Sequence, residues 1–326
     1  MTVCRPLELN IGGKALQPPV YFPSISSAKT ALQPQDYLQV LASLVGINAQ
    51  FLVSAFDLAA MEQPADAAKL LQSARDAGAM ILMDSGNYES FWKDAQSQWL
   101  QPSFHTVLAG FPCDIAFGFD EQQPPTDAVE HAALLVARWK ADQAAAGSCQ
   151  IVPIIHGDAR DLPGLCHTVA TQTGVPMLAV AERRLGDGVI NRARSILAIR
   201  SALDQLDRYV AVHLLGTGNP ISMALYSAMG ADSFDGLEWC QTVVDHDTGL
   251  LYHLSQADFF AKQTAWFDAG LSFQARTLVH NLEFYASWMQ RLRVAIANET
   301  VVDFCRHNFP AHVFRHCAAE FGWSDS

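Results

Sequence analysis

The stretch Val210-Ala211-Val212-His213-Leu214-Leu215-Gly216-Thr217-Gly218-Asn219-Pro220 contains one whole folding unit. Val210 to Leu215, apolar but for His213, have the length and composition of a buried strand. Gly216-Thr217-Gly218 stops that strand. Asn219-Pro220 then starts a helix, because Asn caps the first free N–H groups and Pro suits the first helical position. A strand followed at once by a helix is the repeating unit of a parallel sheet. Seven further segments repeat the pattern: Val20 to Ile25, Phe51 to Phe56, Met80 to Met83, Ile115 to Phe119, Ile151 to Ile155, Met177 to Val180, and Ser233 to Phe234. Helical stretches lie between them, among them Thr126 to Ala145, opened by Thr126 with Glu130 behind it, and Gly188 to Leu206, with Asp187 as N-cap. Eight such units predict an α/β fold, a (β/α)8 TIM barrel over residues 20–253.

Residues 1–19 read as an N-terminal extension whose Ile11-Gly12-Gly13-Lys14 is a hairpin turn, placed to plug the barrel bottom. Residues 254–326 read as a helical C-terminal region. There Ala275 to Ala295 carries apolar residues at helical spacing, and Trp266, Phe273, Phe284, Tyr285 and Trp288 supply bulk. No linker separates these parts, so the 326 residues are expected to form a single domain. Charged residues make up 17% of the chain, below the roughly 25% usual for soluble domains, which predicts extensive buried surface and a subunit interface.

Lys and Arg total 21 against 33 Asp and Glu, a formal charge of −12 that disfavours long-range attraction to nucleic acid or anionic membrane. The longest uncharged stretch, Leu38 to Phe56, is interrupted by Gly46, Asn48 and Gln50, so no membrane segment is expected. The first residues carry no apolar run with a cleavage site, and the expected location is cytoplasmic. Seven cysteines, at 4, 113, 149, 166, 240, 305 and 317, never form Cys-x-x-Cys and read as reduced, mostly buried thiols. Cys305, His307, His312, His316 and Cys317 have the atoms of a zinc site without its paired spacings, so no metal is expected there.

In a parallel barrel the chemistry sits at the C-terminal strand ends. Six consecutive strands deliver polar groups there: Asp84-Ser85-Gly86-Asn87-Tyr88, Asp120-Glu121, His156-Gly157-Asp158, Glu182, Gly216-Thr217-Gly218-Asn219 and Asp235-Gly236. A single carboxylate after a strand is often only a helix cap. Crowded carboxylates, however, have their ionisation driven apart, so that one stays protonated as an acid while another remains an anionic nucleophile. That division suits glycosyl chemistry. Gly86, Gly157 and Gly216 follow strand ends, where a missing side chain lets a flat ligand approach the backbone. Gly216-Thr217-Gly218 begins like a dinucleotide fingerprint, but its sixth position is Ile221, so no cofactor is expected.

From about Pro19 to Glu238 these motifs resemble the tRNA-guanine transglycosylase superfamily, queuine and archaeosine type. Met83-Asp84-Ser85-Gly86-Asn87-Tyr88 is similar to the family's Asp-Ser-Gly-Gly-aromatic segment, Phe119-Asp120-Glu121 to its Phe-Asp-Glu segment, and Leu178-Ala179-Val180-Ala181-Glu182 to its Leu-Ala-Val-Gly-Glu strand. His213 to Pro220 resembles its Leu-Met-Gly-x-Gly-x-Pro turn, and Gly230-Ala231-Asp232-Ser233-Phe234-Asp235 the segment carrying its nucleophilic aspartate. The resemblance implies exchange of guanine for a 7-deazaguanine base in a polynucleotide through a covalent sugar intermediate. Asp235 would be the nucleophile and Asp84 the general acid/base. Ser85, Tyr88, Asp120, His156, Gly157, Leu178, Ala179, Glu182, Leu215 and Gly216 would hold the base.

The chain departs from that pattern at several positions. His156 stands for the family's glutamine and Met177 for the glycine before Leu178. The Cys-x-Cys-x-x-Cys zinc motif is absent, and Gly236-Leu237-Glu238-Trp239 replaces the Pro-Thr-Arg segment that helps hold tRNA. DNA is therefore slightly favoured over tRNA as substrate. Docking is expected to need a homodimer or a partner protein, with Phe284, Trp288 and Phe309 as a contact surface, or a basic patch from Arg183, Arg184, Arg192 and Arg194. Two other readings are a glycosidase or nucleosidase that uses Asp84 and Asp235 without base exchange, and a noncatalytic partner subunit of a transglycosylase.

Overall fold

The structure, a computed structural model, describes residues 5–28, 30–95, 98–120 and 122–324. It is an α/β protein with parallel sheets and many helices. The chain opens with an antiparallel hairpin, β1 (Leu9–Ile11) and β2 (Lys14–Leu16), in which Leu9 faces Leu16. Gly12 and Gly13 make its two-residue turn with φ of 61° and 77°, the left-handed values such a turn requires. Nine short strands follow among the described residues: β3 (Val20–Pro23), β4 (Gln50–Ser54), β5 (Met80–Asp84), β6 (Ile115–Phe117), β7 (Gln150–Val152), β8 (Ile154–Ile155), β9 (Met177–Ala181), β10 (Ala211–Leu215) and β11 (Ser233–Gly236).

All pairings among these nine strands are parallel, in the orders β4-β5-β6-β7 and β3-β11-β10-β9-β8. The two sheets meet twice. Pro153, which has no N–H to give a ladder, divides the expected strand Ile151 to Ile155, so that β7 pairs with β6 while β8 pairs with β9. At the other meeting Ser24, just past β3, bridges Leu52 of β4 in parallel, and Ile25 N–H donates to the Leu52 carbonyl at 2.8 Å.

Alternation along the strands divides the apolar residues between two cores. Tyr21, Phe51, Ile81, Met83, Leu178, Val180, Val212 and Leu214 pack against the helices. Phe22, Leu52, Leu82, Ile115, Phe117, Val152, Ile154, Met177, Ala179 and Ala211 form a second cluster, into which Leu9, Ile11 and Leu16 of the hairpin insert. Each such large side chain, fully buried, contributes roughly 1.5–3 kcal/mol. The hairpin is pinned at the N-terminal ends of the strands: Asp114 at the foot of β6 takes two bonds from Arg75, at 3.0 and 2.8 Å, and lies 3.2 Å from Lys14. The opposite, C-terminal ends are thereby left open.

Helix boundaries moved slightly from expectation. Asp127, not Thr126, caps the helix Ala128–Ala145 by accepting from Val129 and Glu130 N–H, because it sits one residue nearer the first turn. The helix Gly188–Leu203 ends before Leu206, and Asn219 caps Pro220–Ala228 as read, accepting from Ser222 N–H at 3.1 Å. An antiparallel hairpin not anticipated from the sequence, β12 (Thr242–Val244) with β13 (Leu251–His253), follows β11. The C-terminal region is helical over Phe273–Ala297, Val301–Asn308 and Ala311–Phe321.

Phe284, Trp288 and Phe309 are buried inside the protein, so they offer no contact surface. Asn281 stitches the long helix to the second hairpin, donating to the Trp239 and Thr242 carbonyls at 2.8 and 2.7 Å. Cys113, Cys149, Cys166, Cys240, Cys305 and Cys317 are buried free thiols, and Cys4 lies outside the described residues. No helix among the described residues is long and apolar enough to cross a membrane.

Candidate active site

A cavity of about 460 Å³ opens at the C-terminal strand ends, within the range of small-molecule sites. Of the residues singled out from the sequence, Asp84, Ser85, Tyr88, Asp120, His156, Glu182, Leu215, Gly216 and Asp235 line it together. Three do not. Leu178 faces the helices, Ala179 belongs to the inner apolar cluster, and Gly157 abuts Leu165, whose Cδ1 would lie 3.2 Å from an added Cβ. Glu121, read with Asp120, lies outside the described residues.

Asp235 lies one residue before the end of β11, and among the described residues its carboxylate is held by three donors. His213 Nε2 lies 3.0 Å and Gly216 N–H 3.1 Å from Oδ1, and the Ser24 hydroxyl lies 2.9 Å from Oδ2. Neither Ser24 nor His213 stands out as a site residue in the sequence. Their signal was alternation: both lie on the same strand faces as the inward apolar residues Phe22 and Ala211.

Asp84 ends β5 and accepts from Gly86 N–H at 3.0 Å. Burial first, then the nearby charges of Glu89, Asp120 and Asp235, push its pKa well above the ordinary carboxylate value. Asp120 goes the other way. Burial alone would raise it, but the hydrogen bond and charge of His156, with bonds from Asn87 and Ser85, outweigh that and hold it below the ordinary value. Its Oδ1 accepts from Ser85 Oγ at 3.1 Å and Asn87 Nδ2 at 2.6 Å; its Oδ2 accepts from Gln122 and lies 2.7 Å from His156 Nε2. His156 Nδ1 is buried and has no hydrogen-bond partner among the described residues. The cavity therefore holds two carboxyl groups shifted in opposite directions, Asp84 upward and Asp120 downward, the separation crowded carboxylates are expected to show.

Two more acids line the cavity that the sequence reading did not assign. Glu89 accepts from Ser26 Oγ at 2.5 Å and Ser54 Oγ at 2.8 Å, and burial, followed by the charge of Asp57, raises it to about 7. Glu238 is likewise raised to about 7, chiefly by burial. Its carboxylate occupies space left by two glycines: a Cβ on Gly218 or Gly236 would lie 2.1 or 2.4 Å from its Oε2. Glu182, by contrast, is engaged with Tyr226 Oη and Arg192, each at 3.0 Å.

Gly86 serves the backbone and not a ligand. It has φ of 85°, and a Cβ there would lie 2.6 Å from Phe56 N. The expected basic patch is divided: Arg192 pairs with Glu182, Arg194 pairs with Glu320, and Arg183 and Arg184 reach Gln122 on the cavity wall. No group of three or more His, Cys, Asp or Glu among the described residues is arranged to hold a metal ion. Cys305 and Cys317 are buried, while His307, His312 and His316 are exposed. The chain matches no protein-family model and no characterised protein sequence.

Proposed function

We propose that the protein exchanges guanine for a 7-deazaguanine base in a polynucleotide, on a strand arrangement that closes as a (β/α)8 barrel. Supporting the barrel, eight strand positions lie in chain order around the pairings, and the two sheets adjoin at both Pro153 and the Ser24–Leu52 bridge. The observation that carries the activity is the convergence of Asp235, Asp84 and Asp120 on one cavity in three different environments.

In this reading Asp235 attacks C1′ of the sugar as the C1′–N9 bond breaks, and the bond's electron pair leaves with guanine. Asp84 gives its proton to the departing base and takes one from the incoming base, whose ring nitrogen attacks C1′ and releases Asp235. Asp120 accepts from the N–H groups of the base edge, which take the place of the Asn87 and Gln122 amides. His156, bonded to Asp120 through Nε2, lines the same cavity and orients that carboxylate. DNA is favoured over tRNA: where tRNA enzymes of the family carry Pro-Thr-Arg, Glu238 here lines the cavity and Trp239 is buried. The test is incubation with labelled guanine or 7-cyano-7-deazaguanine and either duplex DNA or tRNA, followed by nucleoside mass spectrometry. Label incorporated in neither polynucleotide would overturn the reading.

Glu238 favours a second reading. An acid with a pKa of about 7, close enough to Asp235 to be raised by its charge, is suited to activate water against a covalent sugar intermediate. Release of guanine without incorporation of a new base would establish hydrolysis in place of exchange.

A further inference from the structure

Beside the cavity the short helix Asn87–Trp92 carries large aromatic side chains outward. Tyr88, which lines the cavity, is 36% exposed, Trp92 48% and Phe91 55%. Their rings follow one another away from the cavity, with Tyr88 and Trp92 centroids 6.3 Å apart and Trp92 and Phe91 centroids 5.6 Å apart, both pairs edge to face. Three such rings contiguous with a site amount to an exposed apolar patch, the usual mark of a contact surface.

The surroundings indicate what covers it. Arg183 is exposed, donates to Gln122 Oε1 at 3.1 Å, and lies near enough to Tyr88 for its charge to act on the phenol. Arg184 donates to the Gln122 carbonyl at 3.2 Å. Partly exposed aromatic rings, with one guanidinium close to Tyr88 and a second bonded to the same Gln122, fit flat bases joined by phosphates, since every base offers a π face whatever its sequence.

We propose that Tyr88, Trp92 and Phe91 form a stacking platform for unpaired nucleotides of a nucleic-acid strand entering the cavity. This rests on the base-exchange reading for the occupant of the cavity itself, and it makes a single strand, or a locally opened one, the form of substrate received. The chain's net charge of −12 also sets the character of the binding. With Arg183 and Arg184 as the phosphate contacts, the slope of log K against log salt is about −1.4 for a single strand, from roughly 0.7 per phosphate. Stacking supplies the remainder.

The test uses the full chain and a fluorescent, guanine-free oligonucleotide of roughly 12 nucleotides, in DNA and RNA forms, within the length a stacking groove covers. The wild type is expected to bind at least one form. Trp92→Leu and Phe91→Leu, which keep apolar bulk but lose the π face, each weaken binding roughly five- to 150-fold. Trp92→Phe retains most of it. The proposal is overturned if the wild type binds neither oligonucleotide, if the Leu variants bind as the wild type does, or if the salt slope is several times steeper. It is also overturned if sedimentation shows the Leu variants dissolving a dimer while oligonucleotide affinity stays unchanged, since the patch would then belong to a second copy. If the Leu variants lose oligonucleotide binding while the wild type incorporates no labelled base, base exchange falls and the platform stands.

Discussion

His213 and Asp235 are joined across neighbouring strands by a 3.0 Å contact from the imidazole Nε2 to Oδ1, while the other ring nitrogen lies 2.7 Å from Ser233 Oγ. The register explains the contact: His213 of β10 pairs with Ser233 of β11, and Asp235 is the next residue on the same face. With Nε2–H donating to the carboxylate, Nδ1 accepts from the serine hydroxyl, so one tautomer satisfies both. Phe117, 4.6 Å away between ring centroids, holds the imidazole from the side.

Replacing that fully buried imidazole by the larger phenyl ring removes its hydrogen bonds and adds bulk to the core. His213→Phe leaves Ser233 Oγ buried without its partner and removes one of the three donors to Asp235. The expected cost is about 1–3 kcal/mol of stability, and misplacement of the proposed nucleophile is expected to slow turnover by roughly 10²-fold. Urea denaturation and steady-state rates check the two effects separately. An unchanged kcat would remove His213 from any role in positioning Asp235.

Asp235→Asn keeps the side-chain volume and loses the anionic oxygen. The fold is expected to persist, while the covalent capture of the polynucleotide that the proposed exchange requires disappears and turnover falls by roughly 10⁴-fold or more. A denaturing gel reads the adduct directly. An intact covalent adduct on the Asn variant would place the nucleophile elsewhere.

The alternation of strands and helices was legible because strand ends are punctuated by Gly, Asn-Pro and Asp, and local chemistry of that kind survives in any fold. Asp84 and Asp120 were legible for the same reason, each directly following an apolar run, whereas Asp235, behind Asp232-Ser233-Phe234, was legible only through the resemblance of Gly230 to Asp235 to a known segment. Ser24, Glu89 and Glu238 were not. A serine past a strand has no signature, and the two glutamates become cavity residues only through contacts with distant segments: Ser26 and Ser54 for Glu89, Gly218 for Glu238. Leu178 and Ala179 entered the site through the resemblance of the strand Leu178 to Glu182, but the strand alternates faces, and the two side chains go to different apolar clusters away from the cavity. Phe284, Trp288 and Phe309 show the same limit, since an apolar helix face reads alike whether a partner or the chain's own strands cover it.

Asp120→Asn tests the proposed contact with the base edge. The two oxygens of Asp120 face Ser85, Asn87, His156 and Gln122 as donors. An amide turns one acceptor into a donor against them, which is expected to cost about 1–3 kcal/mol of stability. It also presents a donor where guanine donates, so guanine affinity is expected to fall by roughly tenfold or more. Calorimetric titration with guanine reads the affinity, and equal affinity in the variant would remove Asp120 from base recognition.

Glu89 makes stability depend on pH in a direction opposite to that of an ordinary salt-bridged carboxylate. Its folded-state pKa, raised from 4.5 to about 7, means that the folded protein holds a proton which the unfolded chain has released between those values. Stability from this group is therefore fully present below about pH 4.5 and is lost as pH rises through about 7, a change of about 3 kcal/mol. Asp84 and Glu238, also raised, act in the same sense, whereas Asp120, lowered, loses its contribution as pH falls. Glu89→Gln fixes the neutral form, and the Ser26 and Ser54 hydroxyls can rotate to suit the amide. Urea unfolding at pH 5 and pH 8 is expected to show the Gln variant close to wild type at the lower pH and more stable than wild type at the higher. Parallel stability profiles would show that Glu89 does not retain its proton across that range.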